Sequence, residues 1–249
     1  PRRTAATAFA LMLGLMLVSV IAVLGSTAKA SVDALVDTGV EADYILSGPQ
    51  SIGVPTGAGQ AARDVPGVDS VAILHPVSVD IDGEEAFGVA LDGSPEGLFD
   101  NSVVEGSREL TGDSMAVSES ASRNEDWTLG SVVELESVDG RTVPVTVTSI
   151  YEGSPLVGDW MVSEEVYQQV TPSFVRSDIV VLVGAEPGTD LDTLRTDLEA
   201  ATATFVVVQV QDREEFKGAQ SQQIDTLLAV LYGLLALAVV IAILGIVNT

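Results

Sequence analysis

Two long stretches without a single charged residue, 4–28 and 226–249, stand at the two ends of this chain. Each exceeds the roughly 20 apolar residues, at about 1.5 Å rise each, that cross a hydrocarbon core of about 30 Å. A helix of a soluble domain shows an apolar stripe rather than an apolar surface on every side. Both stretches therefore read as transmembrane helices, the first over residues 1–30 and the second within 212–249. Everything between them must then lie on one side of the membrane. Arg2 and Arg3 precede the first helix, and the positive-inside rule puts them in the cytoplasm. The expected layout is a multi-pass protein of the plasma membrane with residues 30–225 outside the cytoplasm. The motif Ala28-Lys29-Ala30 imitates a signal-peptide cleavage site, but the apolar run is longer than the about 7–15 residues of a signal core.

Residues 29–225 hold all 36 acidic residues and nine of the 11 basic ones, a net charge of −27. Such a surface repels nucleic acid and anionic headgroups, both of which bind through cations. Lipid contact is left to the two helices. The chain has no cysteine, so disulfides, thiolate zinc sites and thiol catalysis are excluded.

The middle region reads as mixed α and β. The first helix continues through Val32, Leu35 and Val36 to Gly39, a helix stop. Residues 42–46 form a strand, 60–64 a short helix, and 68–81 and 86–91 two strands, the first interrupted at His75-Pro76. Asp82-Gly83 marks a hairpin turn. Short strands over 131–137 and 142–150, joined through Asp139-Gly140, predict a small β-barrel or sandwich. After a strand at 177–183, Leu191, Leu194, Leu198 and Ala201 form the apolar face of a helix that Thr189 or Asp190 caps. Residues 205–210 read as a strand again. Asp212-x-x-Glu215 is a capping box, and nothing after it breaks a helix over 213–247 except glycines at about 1 kcal/mol each. The result is a rod of roughly 50 Å. Phe216, Ala219, Ile224 and Leu227 lie near one face of its outer part, either as packing on the chain's own domain or as a stalk that couples outside to membrane.

Pro1-Arg2-Arg3-Thr4-Ala5-Ala6-Thr7-Ala8 leading into Leu11-Met12-Leu13-Gly14-Leu15 resembles the permease subunits of FtsX/MacB-type ABC transporters. So do the segment from Gly112-Asp113-Ser114 through Ser118-Glu119-Ser120, the run Leu129-Gly130-Ser131-Val132-Val133, and Leu244-Gly245-Ile246-Val247-Asn248-Thr249. The resemblance implies an α+β membrane protein: two helices flanking an extracytoplasmic ferredoxin-like α/β domain with an inserted small β subdomain. On that plan the α/β part occupies 31–97 and 156–211, the inserted part 98–155, and the stalk with the second helix 212–249. It also implies a separate ATP-binding subunit and a second permease module or a homodimer. The opening without Met and the end inside an apolar run read as a piece of a longer protein.

The chemistry of a site is sparse. No phosphate-loop pattern exists, so ATP hydrolysis is not expected here. Gly57-Ala58-Gly59-Gln60-Ala61-Ala62 matches the dinucleotide fingerprint loosely but follows Pro55 rather than a buried strand. His75 is the single histidine, and without a Gly-x-Ser-x-Gly elbow it reads as a structural residue at a strand bend. Asp80-Ile81-Asp82-Gly83-Glu84-Glu85 crowds carboxylates but lacks the 12-residue ligand loop of calcium sites; a solvated hairpin turn is the simpler reading. No catalytic, metal or cofactor residue is expected. Ala6, Ala10 and Gly14, and likewise Ala229 and Gly233, recur at four-residue spacing, which permits close helix packing. Neither helix carries an intramembrane ionisable group, unlike an ion-coupled carrier. The expected function is a permease coupling cytoplasmic ATP hydrolysis to movement of the outer domain. The alternative is a membrane-anchored sensor or adhesion module with no transport role.

Overall fold

The computed structural model describes residues 2–49, 52–154 and 156–247, with side chains described in that range except at 2–11, 13, 15, 38 and 242–247. The chain divides into a helical unit, residues 1–36 with 215–249, and an α+β unit, residues 37–214.

The helical unit comes from two long helices, α1 (Arg2–Gly39) and α6 (Arg213–Val247). Both are apolar enough to cross a membrane, over Met16–Asp37 and Arg213–Ile241. The apolar residues surround each helix rather than lining one side, so Met16, Leu24, Leu227, Leu234 and Ile241 are all exposed. In water such a surface is unfavourable by about 25 cal/mol per Å²; in lipid it is the favoured one.

The α+β unit begins with β1 (Tyr44–Ser47), α2 (Ala58–Arg63) and β2 (Val68–Ile81), and ends with β9 (Val180–Ala185), α5 (Leu191–Thr202) and β10 (Gln209–Gln211). These four strands lie in the order β10-β1-β9-β2. Strand β1 is antiparallel to both β9 and β10, and β9 is antiparallel to β2. That is a split βαβ arrangement of the ferredoxin-like kind. Leu46, Ala58, Ala62, Ile73, Val181, Val183, Leu194 and Leu198 close its core between the sheet and the helices α2 and α5. Asp190 caps α5, its side chain accepting a hydrogen bond from the Thr193 amide at 2.8 Å.

Between β2 and β9 the chain adds β3 (Glu84–Asp92), β4 (Val103–Gly106), β5 (Ser114–Ser118), α3 (Glu119–Asn124), β6 (Val132–Glu136), β7 (Thr142–Tyr151), β8 (Trp160–Ser163) and α4 (Glu164–Val170). Pairing runs β2-β3-β8-β5-β7, and β6 joins β7 back to β2, so six strands close a barrel. The closing contact is one residue pair, Asp80 with Glu136. Alternation along β7, buried at Val143, Val145 and Val147, fills the interior with Val77, Val79, Met115, Leu135 and Val162. The first hairpin turns at Asp82 and Gly83, with φ of 55° and 87°, the positive pair that a tight hairpin requires.

Three expectations need correction. Strand β2 is not interrupted at His75-Pro76; it pairs with β3 through both residues. Proline is tolerated because β9 leaves β2 at Leu74, so Pro76 has lost one neighbour and needs no amide on that side. The strand read over 205–210 is only Gln209–Gln211. Turns occupy the rest, the Phe205 amide donating to Thr202 O and the Val208 amide to Phe205 O. On α5, Leu194 and Leu198 are buried, whereas Leu191 is exposed at the helix start.

Candidate functional site: paired helices and a buried histidine

Within the helical unit the two helices run antiparallel and are tied by both lysines of the chain. Lys29 Nζ on α1 stands 2.6 Å from Asp225 Oδ1 on α6, and Lys217 Nζ on α6 stands 3.4 Å from Asp33 Oδ1 on α1. The pairs lie where the apolar stretches give way to charged sequence, so neither charge enters the uncharged runs. Gly25 faces Leu228 across the pair: a side chain there would start 2.5 Å from Leu228 Cδ1, so the end of the leucine would have to shift to admit one. From Glu215 onward α6 clusters with α1.

The expected site residues fall as follows. Phe216 and Ile224 are half-buried, while Ala219 and Leu227 are exposed. Gly14 and Gly233 have open space where a side chain would be, and Ala229 is exposed. The side chains of Ala6 and Ala10 lie outside the described residues. The lysine–aspartate pairs and Gly25 escaped sequence reading. A signal existed: two lone lysines, each on one helix, with an aspartate at the matching depth on the other.

In the α+β unit the most unusual chemistry surrounds His75, the residue where β2 passes from one core to the other. Its side chain is 8% exposed, and that of Asp178 beside it 2%. Nδ1 lies 2.9 Å from Asp178 Oδ1 and Nε2 lies 3.2 Å from Glu164 Oε2. The approaches are close but off-axis for linear hydrogen bonds, so they act as charge contacts. Tyr167 stacks on the imidazole, centroids 4.5 Å apart at 11°, and donates its hydroxyl proton to Ser177 O at 3.2 Å. Arg176 lies over the Tyr167 ring, 5.9 Å from its centroid, and donates to Thr171 O and Gln168 O. Backbone bonds exchanged between Val54 and Asp178 fix the carboxylate's position.

Burial alone would lower the His75 pKa, but the two carboxylates overcome it and raise it to about 9. Burial likewise opposes ionisation of Glu164, and the imidazolium overrides this and holds it below its usual value. At neutral pH the cluster is therefore an imidazolium between carboxylates. The imidazolium has no free lone pair to act as a base, and only Glu164 of the three charged groups reaches the surface, its side chain 28% exposed. The cluster's role is to cross-link β2, α4 and the segment before β9. His75, read from sequence as a structural residue at a strand bend, lies instead within the continuous pairing of β2 with β3.

The acidic hairpin is a turn in fact: Asp80 Oδ1 accepts from the Gly83 amide at 2.6 Å. Among the described residues no group of three or more metal-ligating side chains converges.

Comparison with known proteins fits this architecture. The chain matches a crystal structure of the periplasmic region of MacB from Actinobacillus actinomycetemcomitans with a TM-score of 0.54 at 11% identity, over 72% of this chain and 93% of that one. It also matches a domain of a putative permease protein from Porphyromonas gingivalis (TM-score 0.46, 17% identity, 68% and 89% of the two chains). A third match is the extracellular domain of the noncanonic ABC-type transporter YknZ from Gram-positive bacteria (TM-score 0.47, 13% identity, 70% and 100%). No curated protein matches. The family model described as the MacB-like periplasmic core domain matches residues 4–201. With most of its length inside that model and a fold shared with the MacB periplasmic region, this chain belongs to the MacB-like periplasmic core domain family of ABC transporter permeases.

Proposed function

We propose that this chain is the part of an ABC transporter permease that carries movement between a cytoplasmic ATP-binding subunit and a domain outside the membrane. The observation that supports it best is α6. It is one unbroken helix of 35 residues, whose first residue belongs to the α+β unit, Arg213 donating to Val40 O at 3.3 Å. Its remainder pairs with α1 through Lys29–Asp225 and Lys217–Asp33. A continuous helix of roughly 50 Å transmits axial and rotational displacement without a joint. On this reading Arg2 and Arg3 face the cytoplasm, the acidic domain lies outside, and Phe216, Ala219, Ile224 and Leu227 mark the coupling stalk. The open faces at Gly14, Ala229 and Gly233 receive the helices of a second module or a second copy, as small residues do in membranes.

The test is purification of the full-length protein from its native membrane in mild detergent, with mass spectrometry of what accompanies it. A phosphate-loop ATPase recovered in near-stoichiometric amount supports the permease. Recovery of extracytoplasmic partners alone would favour a membrane-anchored sensor or adhesion module.

A further inference from the structure

Strand β3 is longer than the strand beside it. Its residues Val89, Ala90 and Leu91 pair in parallel with Met161, Val162 and Ser163 of β8. Residues 84–88 pair with β2 alone. Five residues of the barrel wall therefore present an unpaired backbone edge, the feature folded proteins normally cover, charge or shorten. This edge borders a cleft of about 470 Å³ whose opposite side is the end of α3.

The walls of the cleft have a distinct chemistry. Trp160 forms its floor; its indole lies against Gly88, where any side chain would overlap the ring. Trp127 packs alongside, half-buried on the barrel core. Phe87 points away from the interior and is 70% exposed, a costly place for a large apolar ring with nothing over it. Around these rings stand Asp82, Glu84, Glu85, Glu125 and Asp159. No lysine, arginine or histidine lines the cleft, and among the described residues none of the five carboxylates is ion-paired.

We infer that this cleft binds an extended, basic segment of another protein, which adds as a strand to the free edge of β3. An added strand takes up the outward amides and carbonyls of residues 84–88, the mode by which sheet edges capture peptides. Its lysines or arginines meet the five carboxylates, and an arginine or apolar side chain covers Phe87 by stacking or burial. The acidic rim selects against acidic and neutral segments, since like charges in the cleft would repel. A small organic cation would satisfy the carboxylates and rings but leave the edge unpaired, so the edge favours a peptide. The assignment concerns the outer domain alone and does not depend on ATP coupling.

The test uses the full chain in nanodiscs of neutral lipid and an eight-residue peptide of alternating arginine and valine. Titration calorimetry is accompanied by amide hydrogen exchange. Binding is expected to slow exchange at outward amides of residues 84–88 and to weaken as salt rises. The exposed-site variant Glu84→Gln/Glu85→Gln/Glu125→Gln should weaken binding at least about tenfold, and Phe87→Ala several-fold. An equal change of charge off the cleft, Glu134→Gln/Asp192→Asn/Asp197→Asn, should leave it within about twofold. A peptide of the same charge with proline at every second position should bind far more weakly, having lost its donors. Three results would overturn the inference: equal binding of the proline peptide, equal weakening by the off-cleft variant, or binding of arginine amide as tight as that of the peptide. The last would make the cleft a site for small cations instead.

Discussion

Lys29 and Asp225 sit 2.6 Å apart across the two long helices, one turn of α1 away from Asp33, which meets Lys217 at 3.4 Å. Two pairs of the same kind with their polarity reversed fix the helices in depth as well as in proximity. Sliding α6 by one turn would break both, and sliding it toward the uncharged run of α1 would place Asp225 opposite apolar sequence.

Because the side chains of Lys29 and Asp225 are 37% and 58% exposed, each pair contributes modestly, about 0.2–1 kcal/mol. Lys29→Asp alone should destabilise the helical unit within that range, as should Asp225→Lys alone. Combining them should restore the loss. The check is a double-mutant cycle on detergent unfolding midpoints at low and high salt, with the coupling expected to shrink at high salt.

The histidine cluster predicts a pH profile. The folded-state pKa of His75 is raised to about 9 from 6.5, so its stabilisation is fully present below pH 6.5 and is lost as pH rises from 6.5 to 9. The amount is on the order of 3 kcal/mol. The carboxyl of Glu164 is held low by the imidazolium despite burial; its contribution is present above its unfolded pKa of 4.5 and is lost as pH falls below that value. Denaturant unfolding of the full chain should show a plateau between these limits. His75→Gln should flatten the alkaline limb and cost about 3–5 kcal/mol, since Asp178 would remain buried without its cation.

Gly88 leaves its side-chain space to the Trp160 indole. Gly88→Val should displace the ring and destabilise the α+β unit by about 1–3 kcal/mol. Fluorescence in a Trp127→Phe background, where Trp160 is the one remaining tryptophan, should shift to longer wavelength as the ring becomes wet.

Phe216→Asp and Ile224→Asp test the stalk. Both residues are half-buried on the outer part of α6. On the proposed coupling role, the expected outcome is normal membrane insertion and unchanged hydrolysis by an ATP-binding subunit that co-purifies, with loss of the coupled activity by tenfold or more. ATP hydrolysis still tied to that activity would remove coupling from this face.

The sequence carried the two long apolar helices, the hairpin at Asp82-Gly83 and the cap of α5, because each depends on residues near one another along the chain. Thr189 or Asp190 could be read as that cap, and Gly83 as a turn residue, without knowing anything distant. The His75 cluster was not legible. Its partners are 89 and 103 positions away, and only the return of β9 to β2 brings Asp178 there. The continuity of β2 through Pro76 was missed for a related reason: proline is excluded from a strand with two neighbours, and the sequence does not reveal that β9 has already departed. The cleft beside Phe87 depends on a difference in length between β3 and β8, a property of pairing rather than of either segment.

Strand β2 belongs to both halves of the α+β unit. Its first part, through Leu74, lies in the four-stranded sheet and its last part in the barrel wall. Fourteen residues at about 3.3 Å each make a beam of roughly 46 Å, common to two hydrophobic cores. A pivot of one half about the other requires this beam to bend, and where β9 leaves it, after Leu74, an imidazolium held between two carboxylates stands beside it. On the proposed coupling role, a push delivered to the sheet would reach the far rim of the barrel as displacement of a single lever, an arm rather than a pair of jaws.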